Sequence, residues 1–298
     1  MTDRPISRWA GIALLLLIAV IFGSNHIAAR IAFDHGANVT TAVAFRSAGT
    51  ALVVLALLLF GGISLKISQK TFLQSIFVGL LIAVQSYCLY SAVALIPVAL
   101  ALLAFQTFPM LLALISWGGG GERPSRRVLI AMPVALAGLA LALDVWGRSG
   151  NFAGRWAEVG AGVLWALGAS ISFAAALFLI TRWLGAMDGR LRSFLFMSVV
   201  AVVTLAGGTL TNGFALPADG TGWLALALLT VFYGTAITST FVLLPRLGAV
   251  NNAAVLNFEP IAVLGLAWLI LDQKVAPLQI LGAFVVVGAI AWMGAGKR

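Results

Sequence analysis

A chain of 298 residues that is 62% hydrophobic and 9% charged cannot cover a water-facing surface, because soluble domains carry about 25% charged residues. With a mean hydropathy of +1.08, its solvent is the bilayer. The net charge of +9 would point to nucleic acid in a soluble protein, but here most cations flank apolar runs, so topology explains them and no nucleic-acid partner is expected.

A spanning helix needs about 20 mainly apolar residues, and the pattern supplies ten. Residues 9–32 form the first. It follows Arg4 and Arg8 like a signal peptide, but it exceeds the ~7–15 residues of a signal core and lacks a cleavage site before Arg30, so it is expected to be retained. Residues 40–60, 72–95, 98–117 and 128–145 complete the first half, separated by Gly61-Gly62, by Ile96-Pro97 and by the glycines at 118–121 with Pro124. The second half reads as 157–183, 193–212, 222–244, 250–271 and 277–295, punctuated by Pro217 and Gly248. The single Cys88 lies in an apolar run, which leaves no disulfide framework and no cysteine metal site.

Lys and Arg orient these spans. With the N-terminus inside, one face receives Arg4, Arg8, Lys66, Lys70, Arg123, Arg126, Arg127, Arg182, Arg190, Arg192, Arg246, Lys297 and Arg298, and the other only Arg30, Arg46, Arg148, Arg155 and Lys274. The positive-inside rule makes the richer face cytoplasmic, together with both termini.

Pro109 and Trp117 recur as Pro260 and Trp268, both at an offset of 151 residues. Five spans per half is an odd number, so the second copy enters the membrane from the opposite side and the repeat is inverted. The expected fold is an all-α integral membrane protein of ten transmembrane helices in two inverted five-helix repeats, 1–149 and 150–298. Gly138 with Ala142, and Ala291 with Ala295, carry small-xxx-small spacing. The fifth and tenth spans are therefore expected to brace the halves, or to form a dimer contact, rather than line a path.

Polar groups in hydrocarbon need a partner or a cavity. Eight of the nine acids lie near termini or loop ends, and the ninth, Glu259, falls near mid-membrane beside Pro260, whose missing N–H frees a carbonyl in the preceding turn. Glu259 could bind an ammonium group or exchange a proton; alternatively it is a neutral acid bonded to the freed carbonyl or to Asn257. Asn257 and its repeat counterpart Gln106 sit on the two Pro-broken spans, lining a cavity or bonding between helices. Span one carries Asn25 and His26, with Arg30 one turn on. His26 reads as a proton carrier or a bonded structural residue, and Arg30 and Arg46 as snorkelling cations or anion contacts. Tyr87 and Tyr90 share a helix face, and with Trp165 and Tyr233 they offer aromatic surface to an apolar or cationic substrate.

Trp9 with Phe22-Gly23-Ser24-Asn25, Phe45-Arg46 opening span two, Pro109, Gly121-Glu122 and Glu259-Pro260 together resemble the drug/metabolite transporter superfamily, EamA type, over nearly the whole chain. Within it the chain looks most like the YddG-like exporters of aromatic and other amino acids. It departs where Asp272-Gln273 stands in place of a Gly-Glu pair. The resemblance implies export of a small-molecule substrate, amino acids foremost, across the inner membrane by alternating access through a central cavity. It implies no ATP, no metal and no other cofactor, and a monomer with a homodimer left open. The alternatives are other small cargo (cationic drugs, nucleosides or nucleotide-sugars), a lipid-carrier flippase, or an intramembrane enzyme. The last lacks equipment in a chain with two histidines and neither HExxH nor GxSxG.

Overall fold

The computed structural model describes residues 8–121, 123–144, 152–246, 258–274 and 276–294. These residues form eleven helices and no strand: α1 (Arg8–Asp34), α2 (Val39–Phe60), α3 (Gln69–Leu95), α4 (Val98–Phe105), α5 (Phe108–Gly118), α6 (Arg126–Ala142), α7 (Phe152–Trp183), α8 (Gly189–Leu210), α9 (Gly220–Arg246), α10 (Glu259–Leu271) and α11 (Pro277–Gly294). Helices α4 and α5 are the two pieces of the fourth span, so there are ten spans. Among the described residues seven are long and apolar enough to cross a membrane, counting Val98–Gly118 as one, and Glu259–Leu271 and Pro277–Trp292 are shorter apolar helices.

Local chemistry sets the helix ends. Asn38, Ser68 and Ser125 cap α2, α3 and α6 by accepting the backbone N–H of Thr41, Thr71 and Val128, and Asp188 caps α8 through Arg190 N–H. Within the spans, hydroxyls donate back one turn, as Ser24 does to Val20 and Thr204 to Val200. This is how a hydroxyl is satisfied where no water is available. The Ile96-Pro97 pair does end α3 and open α4. Asp272 closes α10 in the left-handed conformation (φ 50°). The residue standing where the family often has glycine thus performs a glycine's turn, one of the few side chains that tolerates it.

The repeat is written in the helix ends. Shifting the first half by 151 residues carries the start of α3 onto that of α9 (Gln69, Gly220) and their ends onto each other (Leu95, Arg246). The same shift carries the start of α5 onto α10 (Phe108, Glu259) and of α6 onto α11 (Arg126, Pro277). Packing follows a pseudo-two-fold rule. Helix α3 packs on α7 as α9 packs on α1, α3 on α8 as α9 on α2, and α4–α5 on α7 as α10 on α1. Pairs α2–α8, α4–α10 and α6–α11 straddle the axis. The halves interleave, and most partners of a helix belong to the other repeat.

The loops gather on two faces, as strict alternation requires. On one face the 35–38 turn is clasped to the 211–219 loop: Asn38 and Ala218 donate backbone bonds to Ala215 and His35, Asn38 Nδ2 bonds Gly213 O, and His35 Nδ1 lies 2.7 Å from Asp219 Oδ2. Arg30 joins this face, bonded to Asp34 and to the last carbonyls of α3 at Val93 and Ala94. Pro97, Asp144 and Lys274 complete it around a 510 Å³ pocket. On the other face Gly61 lies beside Arg190, and Arg182 reaches Gly119 O.

The brace between α6 and α11 exists, but its small residues are not all those expected. A Cβ on Gly282 would collide with Ala142 N and Gly138 O, and one on Gly138 with Val285. The backbones touch at Gly138, Ala142 and Gly282; Ala295 lies outside the described residues. Gly282→Ala is expected to cost about 1–3 kcal/mol through overpacking and to lower the melting temperature in detergent. Gly288→Ala, with open space at its Cβ, should leave it unchanged or raise it slightly. Equal melting temperatures for the two variants would mean that the backbones do not meet.

The clasp carries its own pH dependence. The Gly222 N–H and then His35 hold the Asp219 carboxyl below the ordinary carboxylate range. A depressed folded pKa contributes stability above the unfolded value, near 3.9, and loses it as pH falls through the depressed one. Amide-exchange protection factors at Asn38, Ala218 and Gly222 should therefore hold above about pH 4 and decline on acidification. In Asp219→Asn that decline should disappear; an unaltered acid decline would remove Asp219 from the clasp's titration.

Candidate functional site

Glycine 23 lies where α1 crosses α10: a Cβ there would meet Val263 Cγ2 at 2.8 Å. A glycine in mid-helix costs up to about 1 kcal/mol relative to alanine, and here it permits backbones to approach. One turn on, His26 Nε2 stands 3.4 Å from Glu259 Oε1, joining the first repeat to the second. His26 is buried, whereas the Glu259 side chain is 27% exposed. Glu259 opens α10 after Phe258, with Pro260 in the first turn, so its carboxylate sits at the positive end of a helix dipole.

Beside this pair lies the aromatic and polar floor of the site. Tyr90, fully buried on α3, donates its hydroxyl to Asn25 Oδ1 at 2.7 Å and faces the His26 ring at 5.7 Å. Tyr233 on α9 meets Phe22 edge-on at 6.0 Å. Between Tyr90 and Tyr233 lies Arg46 of α2, its guanidinium carbon 4.8 Å and 4.0 Å from the two ring centroids. Arg46 Nη2 donates to Ser86 Oγ at 2.8 Å, and the residue is only 3% exposed. No described carboxylate lies within salt-bridge distance of it.

Several buried polar atoms here lack a partner: Asn25 Nδ2, His26 Nδ1, Arg46 Nε, Ser47 Oγ and Thr50 Oγ1. Each costs about 1–3 kcal/mol when left unmade. Asn25 and Arg46 meet at Tyr90, with His26 and Thr50 beside them, and their unpaired atoms amount to hydrogen-bonding capacity held in reserve.

The expected site residues divide. Asn25, His26, Tyr90 and Glu259 come together. Gln106 is buried at the α4–α5 break, where Thr107 and Ser170 bond at 2.7 Å and Ser170 donates to Phe105 O. Asn257 lies outside the described residues, as do Asn251 and Asn252. Tyr87 and Trp165 are not brought to the group. They meet each other at 6.2 Å and are 41% and 39% exposed. Tyr87 continues the exposed stripe Leu73, Phe77, Leu80, Val84 at alternating steps of four and three, the register of a lipid-facing seam. Its sharing of a face with Tyr90 fails because three residues leave a 60° offset, enough to turn one ring inward and the other out.

Arg46 corrects the reading of a snorkelling cation. It is interior and central, while Arg30, paired with Asp34, stays at the loop face. The available signal was Asn38, three residues before Thr41. As an N-cap it starts α2 at Val39 and puts Arg46 about 10 Å along the helix. Tyr233, one of the aromatic candidates, does join the group, whereas Thr50 carries nothing in the sequence to set it apart from other span hydroxyls.

The EamA-like transporter family matches the chain twice, over residues 9–143 and 160–295. No curated protein matches the sequence. A solved crystal structure of a protein 20% identical to this chain covers 96% of it and 98% of its own length, with a TM-score of 0.59. That likeness bears on the fold alone. Neither match separates amino acid exporters from the rest of the family. With both halves matched and most of its length covered, the chain belongs to the EamA-like transporter family of the drug/metabolite transporter superfamily.

Proposed function

We propose that this transporter exports small metabolites, amino acids foremost, from the cytoplasm across the inner membrane. The observation that carries the reading is the His26–Glu259 pair: a carboxylate from the second repeat, partly exposed, held by a histidine of the first inside the membrane-spanning bundle. A substrate ammonium can take the place of the His26 ring beside that carboxylate, so an amino group displaces His26 on binding and returns Glu259 to it on release. The partly buried Tyr233 ring offers the apolar body of an amino acid its contact surface, and Gln106 stands at the broken fourth span. The paired packing supports transport by alternating access, because exchanging the roles of equivalent helices would exchange the two faces. The face bearing Lys66, Lys70, Arg123, Arg126, Arg127, Arg182, Arg190 and Arg192 is cytoplasmic by the positive-inside rule, with both termini.

Purified protein in liposomes loaded with neutral amino acids, with and without a pH gradient, tests this. Efflux is expected, and Glu259→Gln should lower it by at least about tenfold, the equivalent of 1.4 kcal/mol. Absence of amino-acid efflux under both conditions would sink the reading. Unchanged efflux in the variant would make Glu259 structural.

A further inference from the structure

We propose that Arg46 is the anion subsite of the path between the repeats and receives the carboxylate of the transported molecule. The inference rests on the transport reading above and adds the group that a substrate must carry. A guanidinium stays charged even in the bundle interior. Here it has one hydrogen bond, to Ser86, and two aromatic faces, at Tyr90 and Tyr233. Aromatic faces attract a cation but do not neutralise it. Its Nε–H is buried without a partner, as are Asn25 Nδ2 and the Thr50 hydroxyl one turn along the same face of α2. Thr50 looks toward Gly234, next to the tyrosine under the guanidinium. The reserve is rich in donors, and its missing complement is an acceptor bearing negative charge.

A carboxylate fits better than a phosphate. One planar fork matches two carboxylate oxygens, and the described lysines, Lys66, Lys70 and Lys274, stand at helix ends or in loops, away from a second negative charge here. The order across the site is Arg46, Tyr90, His26, Glu259, with contacts of 4.8 Å, 5.7 Å and 3.4 Å between successive members. The series thus offers a cation to a substrate carboxylate at one end, apart from the acid at the other. The binding energy assigned to Arg46 therefore depends on the substrate's carboxylate and not on its side chain.

The test compares L-phenylalanine and L-alanine with their carboxamides, which keep the amino group and lose the anion. Efflux from liposomes is measured for wild type, Arg46→Gln and Arg46→Lys. Wild type is expected to favour each acid over its amide by at least about tenfold, as sites that bond a polar group reject analogues lacking it. The ratio should fall toward one in Arg46→Gln. It should be intermediate in Arg46→Lys, which keeps the charge but not the fork. An arginine with a packing role alone would lower both fluxes together and preserve the ratio, which would overturn the proposal; so would a wild-type ratio near one. A second readout, ligand-induced rise of melting temperature in detergent, separates the two readings. If nothing is transported but the acids stabilise wild type more than their amides, and Arg46→Gln erases the difference, the export reading falls and the subsite stands. If neither flux nor stabilisation distinguishes acid from amide, the subsite falls.

Discussion

Lipid gives helices no hydrophobic reason to associate, so what holds this bundle together is close backbone contact and the pairing of polar groups that cannot reach water. That constraint explains the interleaving. Glycines 23 and 138 meet their counterparts across the repeat boundary, at Val263 and at Gly282 with Val285. The polar contacts cross as well: His26 with Glu259, Thr107 with Ser170, and Arg46 over Tyr233. Neither repeat could satisfy its interior alone, and the space where the two meet is where chemistry can be kept.

Much of this architecture is legible in the sequence because it depends on composition and on breakers. Apolar runs, Pro97, Pro109 and Pro260 announce the spans and their breaks, and the offset of 151 residues between Pro109 and Pro260 recurs in the helix ends. The bracing role of the fifth and tenth spans is legible too, whereas Gly282 as the contact is not. In a run where every residue is small or apolar, spacing leaves many equally good seams.

The site is legible only in part, for a related reason. Where all faces of a helix are apolar, periodicity cannot say which one turns inward. Glu259, His26 and Asn25 stand out because charge and amide are costly in hydrocarbon. Tyr87 and Trp165 mislead because an aromatic ring is at home in lipid and in a cavity alike. Arg46 reads as a snorkelling cation or an anion contact at a span end because it lies near one end of its apolar run, and the Asn38 cap shows how far inside the helix it stands.

The scaffold is doubled and the chemistry is single. The shift of 151 residues that carries the start of α5 onto α10 places Phe108 at Glu259, and the shift of 150 that carries both ends of α2 onto α8 places Phe196 at Arg46. In the first copy the break is filled by rings, with Phe105, Phe108 and Phe173 within 4.9–5.5 Å of one another. A second polar group of the same kind would leave as many buried donors again without partners, at about 1–3 kcal/mol each. Packed rings carry no such cost. Duplication supplies the pseudo-two-fold packing, and that symmetry needs matched backbones, not matched side chains. Filling one copy with phenylalanine therefore keeps the packing equivalence of the halves and confines the destabilising polar reserve to one side of the pseudo-two-fold axis.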